Sequence, residues 1–90
     1  MDEVKVSVCM VTYNHDRYIR QAVESVLEQR TSFPIELVIG EDCSTDDTRS
    51  ILCELAERNP GIIRLRLAER NQGGKENFMG TFAACRGQYV

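Results

Sequence analysis

The chain alternates between two hydrophobic periods, and that alternation restricts its fold more than any other feature. Val4 to Val11 is apolar and β-branched, broken by Lys5 and Ser7, and predicts a first strand covered on both faces. From Asp16 to Gln29 the apolar residues Tyr18, Ile19, Ala22, Val23, Val26 and Leu27 recur at helical spacing. A loop through Thr31-Ser32-Phe33-Pro34 follows, and Pro34 stops any helix before a second strand, Ile35 to Gly40. Ser44 or Thr45 is placed to cap a second helix, with Asp46 and Asp47 in its first turn and Ile51, Leu52, Leu55 and Ala56 as its buried stripe. Asn59-Pro60-Gly61 ends it. In Ile62 to Leu67, apolar Ile63, Leu65 and Leu67 alternate with Arg64 and Arg66, which predicts an edge strand with one face in water. After a polar loop from Glu69 to Gly74, a third helix runs from Lys75 to Cys85, and Gln88-Tyr89-Val90 begins a fourth strand.

Strands separated by helices of this length pair in parallel through right-handed crossovers. The expected class is therefore α/β: a three-layer, Rossmann-like unit with a mostly parallel sheet, cut after the start of its fourth strand. Residues 1–90 are expected to form a single domain, itself incomplete.

Composition narrows the partners. The net charge is −3 with acids and bases interleaved, which gives no electrostatic reason to expect nucleic acid or an anionic membrane. No segment approaches the roughly 18 apolar residues that a membrane span requires. The charged N-terminus runs straight into a strand and is unlike a signal peptide. Cys9, Cys43, Cys53 and Cys85 are widely spaced with no CxxC pair, so buried, reduced thiols are expected rather than a zinc site.

In parallel α/β sheets ligands bind beyond the carboxyl ends of the strands. The segments to interrogate are therefore Thr12-Tyr13-Asn14, Glu41-Asp42-Cys43-Ser44 and Asn71 to Asn77. No glycine follows the first strand, which argues against a dinucleotide site or a P-loop. Tyr13 instead offers a ring that stacks on a base, and Asn14 an amide that both donates and accepts; the plainer alternative packs Tyr13 on the first helix and makes Asn14 its cap. Glu41 and Asp42 are adjacent, so they point in different directions. A carboxylate there accepts a base imide N–H or ribose hydroxyls, or simply supports a solvated turn with Ser44. In the third loop Gly73 and Gly74 free the backbone, Lys75 is a diphosphate neutraliser or a solvated charge, and Asn77 faces the cleft or starts a helix. His15, the one histidine, has no visible catalytic partner.

Four stretches in register are more specific than any one. They are Val6-Ser7-Val8-Cys9-Met10-Val11-Thr12-Tyr13-Asn14, Ala22 to Gln29, Glu36 to Thr48, and Asn71-x-Gly73 with Asn77-Phe78 and Gly87 to Val90. Together they resemble the family 2 glycosyltransferases of the GT-A fold over nearly the whole chain. The resemblance implies transfer of a glycosyl group, with inversion, from a nucleotide-diphosphate sugar such as a UDP-sugar to a glycan or lipid-linked acceptor, in bacterial surface polysaccharide synthesis. It places the donor nucleotide against Val11, Thr12 and Tyr13, with Asn14 beside them, and against Asp42, with Glu41 next to it; the strand-end loops add Asn77, and Ser44, Gly74 and Lys75 as further candidates. It also implies Mg²⁺ or Mn²⁺ held by an Asp-x-Asp motif expected beyond Val90, so that these residues alone bind a donor without transferring its sugar. A cytoplasmic location follows, peripheral to the membrane through other parts. One departure bears on the site: the common Asp-Asp-Gly is here Glu41-Asp42-Cys43, and Cys43 is ill suited to a turn that needs φ > 0.

Two further readings differ in class. A receiver-like α/β signalling module uses acids after strand two, but it needs another at the end of strand one, where Thr12-Tyr13-Asn14 supplies none. A nucleotidyltransferase needs a Gly-rich loop at that same place.

Overall fold

A computed structural model describes residues 6–28 and 35–87. Its strands β1 (Val6–Thr12), β2 (Ile35–Glu41) and β3 (Ile63–Leu67) alternate with helices α1 (Ile19–Glu28), α2 (Thr48–Arg58) and α3 (Gly74–Ala83). The sheet has the order β1-β2-β3 and both pairings are parallel. The expected α/β class and β3 at a sheet edge are both found. Val4, Lys5, the Thr31–Pro34 loop and the fourth strand begun by Gln88 lie outside the described residues.

Register sorts side chains into two faces with different chemistry. Val8 and Met10 align with Leu37 and Ile39, and these with Ile63 and Leu65. This apolar face packs under Ile19 and Val23 of α1 and Leu52 and Leu55 of α2, forming the core. Successive residues point oppositely, so the other face carries Ser7, Glu36, Val38, Gly40, Arg64 and Arg66, and α3 covers it.

That layer corrects the expectation for β3. Arg64 and Arg66 are half-buried rather than turned to water. Arg64 Nη1 donates to Glu36 Oε1 and to the carbonyl of Ala84, each at 2.9 Å, and Arg66 Nη1 lies 3.4 Å from Thr81 Oγ1. Glu36, fully buried, also accepts from Ser7 Oγ at 2.6 Å, the backbone N–H of Arg86 at 2.6 Å and the Arg86 guanidinium. Burial pushes the Glu36 carboxyl up, but these donors outweigh it and hold it at about 2. A buried carboxylate is tolerated here because its lone pairs are filled.

Other differences are local. Helix α1 begins at Ile19, because Tyr18 and its neighbours form a turn in which the N–H groups of Tyr18 and Ile19 both bond the carbonyl of His15. Tyr18, at 64% exposure, and Ala22 fall on the flank of α1 outside the core. Val11 is exposed, so β1 is not covered along its full length. Neither Ser44 nor Thr45 caps α2; Asp47 occupies that position, and Asp46 Oδ1 takes the Thr48 N–H at 2.9 Å. The four cysteines are free and partly rather than fully buried. Burial, with Cys85 alongside, pushes the Cys9 thiol up.

Candidate functional site

The carboxyl ends of β1 and β2 lie side by side, with Thr12 aligned to Glu41 and the Asp42 N–H donating to the Thr12 carbonyl at 3.0 Å. Parallel strands leave their following loops at one edge of the sheet, so residues 13–16 and 42–47 meet there. The Asn14 N–H donates to Ser44 Oγ at 2.9 Å, and Asn14 Oδ1 accepts the Thr45 N–H at 2.8 Å. Asn14 also adopts φ 55, a conformation its short polar side chain tolerates. Asn14 and Ser44 thus fasten one loop to the other.

The strand alternation separates the two acids. Glu41 follows Leu37 and Ile39 toward α2, where it is fully buried. Its Oε2 takes Arg49 Nε at 2.6 Å and its Oε1 takes the Ser44 N–H at 2.7 Å. Arg49 also reaches the carbonyl of Ala68, joining the loops after β2 and β3. Asp42 points the other way, toward α3, and is 3% exposed. Its Oδ1 accepts the Gln72 N–H at 2.6 Å and its Oδ2 the Gly73 N–H at 3.0 Å. Gly73 has φ 87, which a side chain would strain, and Asn71 Nδ2 bonds the Asp42 carbonyl. Asp42 therefore shapes the loop that leads into α3.

Asn77 sits one turn into α3, its N–H held by the Gly73 carbonyl at 3.0 Å. Its side chain turns inward and donates to the Gly40 carbonyl at 2.9 Å. Gly40 is required there, because a Cβ would lie 2.5 Å from Asn77 Oδ1 and closer still to Thr81 Oγ1.

Between these groups opens a cavity of about 380 Å³ lined by Val11, Thr12, Tyr13, His15, Asp42, Asn71, Gly73, Gly74 and Asn77. Val11, Thr12, Tyr13, Asp42, Gly74 and Asn77 come together there as the sequence suggested, whereas Asn14, Glu41, Ser44 and Lys75 do not border it. Lys75 is exposed to solvent. A roomier cavity of about 450 Å³, lined by Arg66 to Arg70 with Gln72, lies on the other side of Asn77 and lacks both Tyr13 and Asp42. Tyr13, a lining residue of the first cavity, is 42% exposed, so part of it is free. His15, which sequence reasoning set aside, is a wall residue there. Its position just after the tyrosine-asparagine pair was the available signal. The Glu41–Arg49 pair was also missed, because nothing in the sequence marks an arginine eight residues on as its partner.

Among the described residues no group of three His, Cys, Asp or Glu side chains is placed to hold a metal ion. Glu41 is paired with Arg49, and among the described residues Asp42 has no second and third ligating side chain placed with it to share an ion. The described residues do not fit the divalent ion that the sequence resemblance implies, and no step of the reaction is assigned to it. No helix among them is long and apolar enough to cross a membrane.

This fold, a parallel sheet whose strands alternate with helices, has counterparts in solved glycosyltransferases. The structure of Staphylococcus aureus TarS residues 1–349 matches with a TM-score of 0.78 at 32% identity, covering 97% of this chain and 27% of that one; TarS has also been solved with UDP. A mannosyltransferase from Pyrobaculum calidifontis, in complex with GDP-Man and Mn²⁺, shares the fold with a TM-score of 0.78 at 24% identity, over 92% of this chain and 25% of that one. An uncharacterized glycosyltransferase of Nostoc is 40% identical over 87 residues, 97% of this chain and 26% of its own length. The fold is thus that of the GT-A glycosyltransferases, matched over their N-terminal portion. The model of glycosyl transferase family 2 matches residues 7–90, and the chain belongs to that family. It spans about a quarter of the length of curated relatives such as the Nostoc glycosyltransferase.

Proposed function

We propose that the cavity between Tyr13 and Asn77 receives the nucleotide of a nucleotide-diphosphate sugar, residues 1–90 forming the donor-nucleotide part of a glycosyltransferase domain. The reaction is transfer of the sugar to a glycan or lipid-linked acceptor. The observation that carries this reading is the convergence of Val11, Thr12, Tyr13, Asp42, Gly74 and Asn77 on one cavity at the carboxyl edge of the sheet. The ring of Tyr13 offers a stacking face, and the carboxylate of Asp42 an acceptor in the wall. Each Asp42 oxygen already takes one backbone N–H and keeps capacity for another, so a base imide or a ribose hydroxyl can bond it without dismantling the loop. Relatives that include the Bacillus subtilis teichuronic acid glycosyltransferase TuaG, a putative enzyme 38% identical over 86 residues, support a place in surface polysaccharide synthesis.

In this reading Glu41 and Asn14 act indirectly. Glu41, with Arg49, fixes the turn that presents Asp42, and Asn14 fixes the loop that presents Tyr13. The metal, Mg²⁺ or Mn²⁺, belongs with residues other than those described. Titration of the chain with UDP and GDP, with and without Mn²⁺, tests the reading. Saturable binding that Asp42→Ala weakens supports it. Indifference to both nucleotides, in a chain shown by circular dichroism to be folded, rejects it.

A further inference from the structure

His15 is held more firmly than an exposed loop histidine requires. Its carbonyl accepts two N–H groups that start α1, at 2.9 and 2.8 Å, and its own N–H donates to the buried hydroxyl of Thr48 at 2.9 Å. The Cα is therefore fixed from both sides, across β1, α1 and α2. The ring is fixed as well: Nδ1 lies 2.7 Å from Thr12 Oγ1 and receives the Tyr13 N–H at 3.4 Å.

The second of these contacts selects the tautomer, since the Thr12 hydroxyl can serve as donor or acceptor. A backbone N–H can only donate, so Nδ1 presents its lone pair to Tyr13 and carries no proton. The Thr12 hydroxyl must then also donate to Nδ1. A neutral imidazole has one N–H, which is left on Nε2. Among the described residues no acceptor bonds Nε2, yet the ring lines the cavity that contains Tyr13 and Asp42. The ring thus carries a donor with no partner among the described residues, in the wall of a cavity that Asp42 also lines.

We propose that His15 is a specificity residue of the nucleotide site: its Nε2–H donates to an oxygen of the bound nucleoside, a base carbonyl or a ribose hydroxyl. The proposal rests on the donor-nucleotide reading of the cavity and deepens it. With Asp42 it makes an acceptor-plus-donor pair, which suits a base that offers both an N–H and a carbonyl, as uracil and guanine do. Thr12 is the positioning residue, since its hydroxyl holds Nδ1 at 2.7 Å and so orients the ring, while the Tyr13 N–H leaves the proton on Nε2.

The test exploits the two ends of the ring. Asparagine places an amide near the Nδ1 position, glutamine near Nε2. UDP and GDP affinities are measured calorimetrically for the wild type, His15→Ala, His15→Asn and His15→Gln, with the fold of each checked by circular dichroism. The expected result is a loss of about tenfold for His15→Ala, as for one lost hydrogen bond, recovered by Gln and not by Asn. Recovery by Asn instead assigns His15 a purely structural bond to Thr12 and overturns the proposal. So does wild-type affinity in His15→Ala while Asp42→Ala still binds weakly, which leaves the nucleotide reading standing. Absence of nucleotide binding in the wild type defeats both. A long-range ¹H–¹⁵N spectrum of the free chain must also show the Nε2–H form; a protonated Nδ1 refutes the proposal without any ligand.

Discussion

Asn77 and Gly40 form a lock between helix and sheet: the Asn77 amide donates to the Gly40 carbonyl at 2.9 Å through the space that a Cβ on Gly40 would fill. The bond is buried on the α3 face, so its donor has no water to turn to. Because Asn77 also borders the cavity, this lock sets the distance between α3 and the strand ends. Gly40→Ala must push α3 outward, and it is expected to lower unfolding stability by about 1–3 kcal/mol, the range for overpacked sites. Urea denaturation followed by far-UV circular dichroism measures it; an unchanged midpoint would show that α3 is not held at this spacing.

Asp42→Ala removes the acceptor of the Gln72 and Gly73 N–H groups together. The loop entering α3 should loosen, at about 1–3 kcal/mol for backbone donors left unpaired. Amide exchange at Gln72, Gly73 and Asn77 is expected to quicken, and nucleotide affinity to fall at least tenfold. Asp42→Asn, which keeps one acceptor, should fall between the two. Exchange rates equal to the wild type would remove Asp42 from its role as the anchor.

Arg49→Ala leaves the Glu41 carboxylate buried without its cation. Breaking such a pair from one side should cost about 2 kcal/mol, less than for a wholly buried pair because Arg49 keeps contact with water, whereas Glu41→Gln combined with Arg49→Ala should recover part of it. A double-mutant cycle in thermal unfolding measures the coupling. Additive losses would mean that the pair contributes nothing as a pair.

Glu36 gives the fold a pH dependence whose sign is fixed. Its folded value of about 2 lies below the ordinary 4.5. The unfolded chain therefore binds the proton more readily, and the stabilisation from Glu36 is complete above about pH 5 and is lost as pH falls toward 2. At neutral pH Glu36→Gln should destabilise by roughly 2 kcal/mol, less than a wholly buried pair because both arginines keep contact with water. The gap between wild type and variant should close between pH 5 and pH 2 in urea midpoints. A gap constant across that range would contradict the assignment.

Cys43 adopts φ 59, so the turn after Asp42 keeps the left-handed backbone that glycine favours, although a cysteine is ill suited to it. Cys43→Gly relieves that strain, which is about 1–2 kcal/mol for an L-residue, against glycine's larger unfolded entropy of about 0.5–1 kcal/mol. The net expectation is a small rise in thermal midpoint. A fall would show that the long contact from Cys43 Sγ to the Glu69 carbonyl, at 3.6 Å, matters more than the backbone.

Much of the architecture was legible because periodicity is local. The alternation at Ile63 and Leu65 and the apolar run from Leu37 to Ile39 specified strands, and the spacing of Ile19 with Val23 and of Leu52 with Leu55 specified the helices that cover them. The placement of a cavity after β1 and β2 followed from parallel pairing alone, which made Tyr13 and Asp42 candidates by their place in the chain. Local patterns are silent on long-range partners. Arg64 and Arg66 read as a solvated face, yet α3 covers them because Glu36, Thr81 and the Ala84 carbonyl satisfy their charge and donors. Tyr18 and Ala22 matched helical spacing but sit off the core, since the stripe that meets α2 and the sheet is narrower than the apolar set.

The sequence by itself determined a parallel α/β sheet and where its ligand edge lies, since strand and helix periods are written in neighbouring residues. The resemblance already favoured Asp42 over Glu41, but only the tertiary structure gave the physical reason. Glu41 continues the core face toward Arg49 while Asp42 turns to the cavity, and it took β1, α2 and the third loop together to show that. The same holds for His15, whose ring is oriented by Thr12, whose proton is assigned by the Tyr13 N–H and whose backbone is held by Thr48, thirty-three residues away. A hydrogen bond between distant segments has no local signature, because it exists only when the fold has brought its partners together.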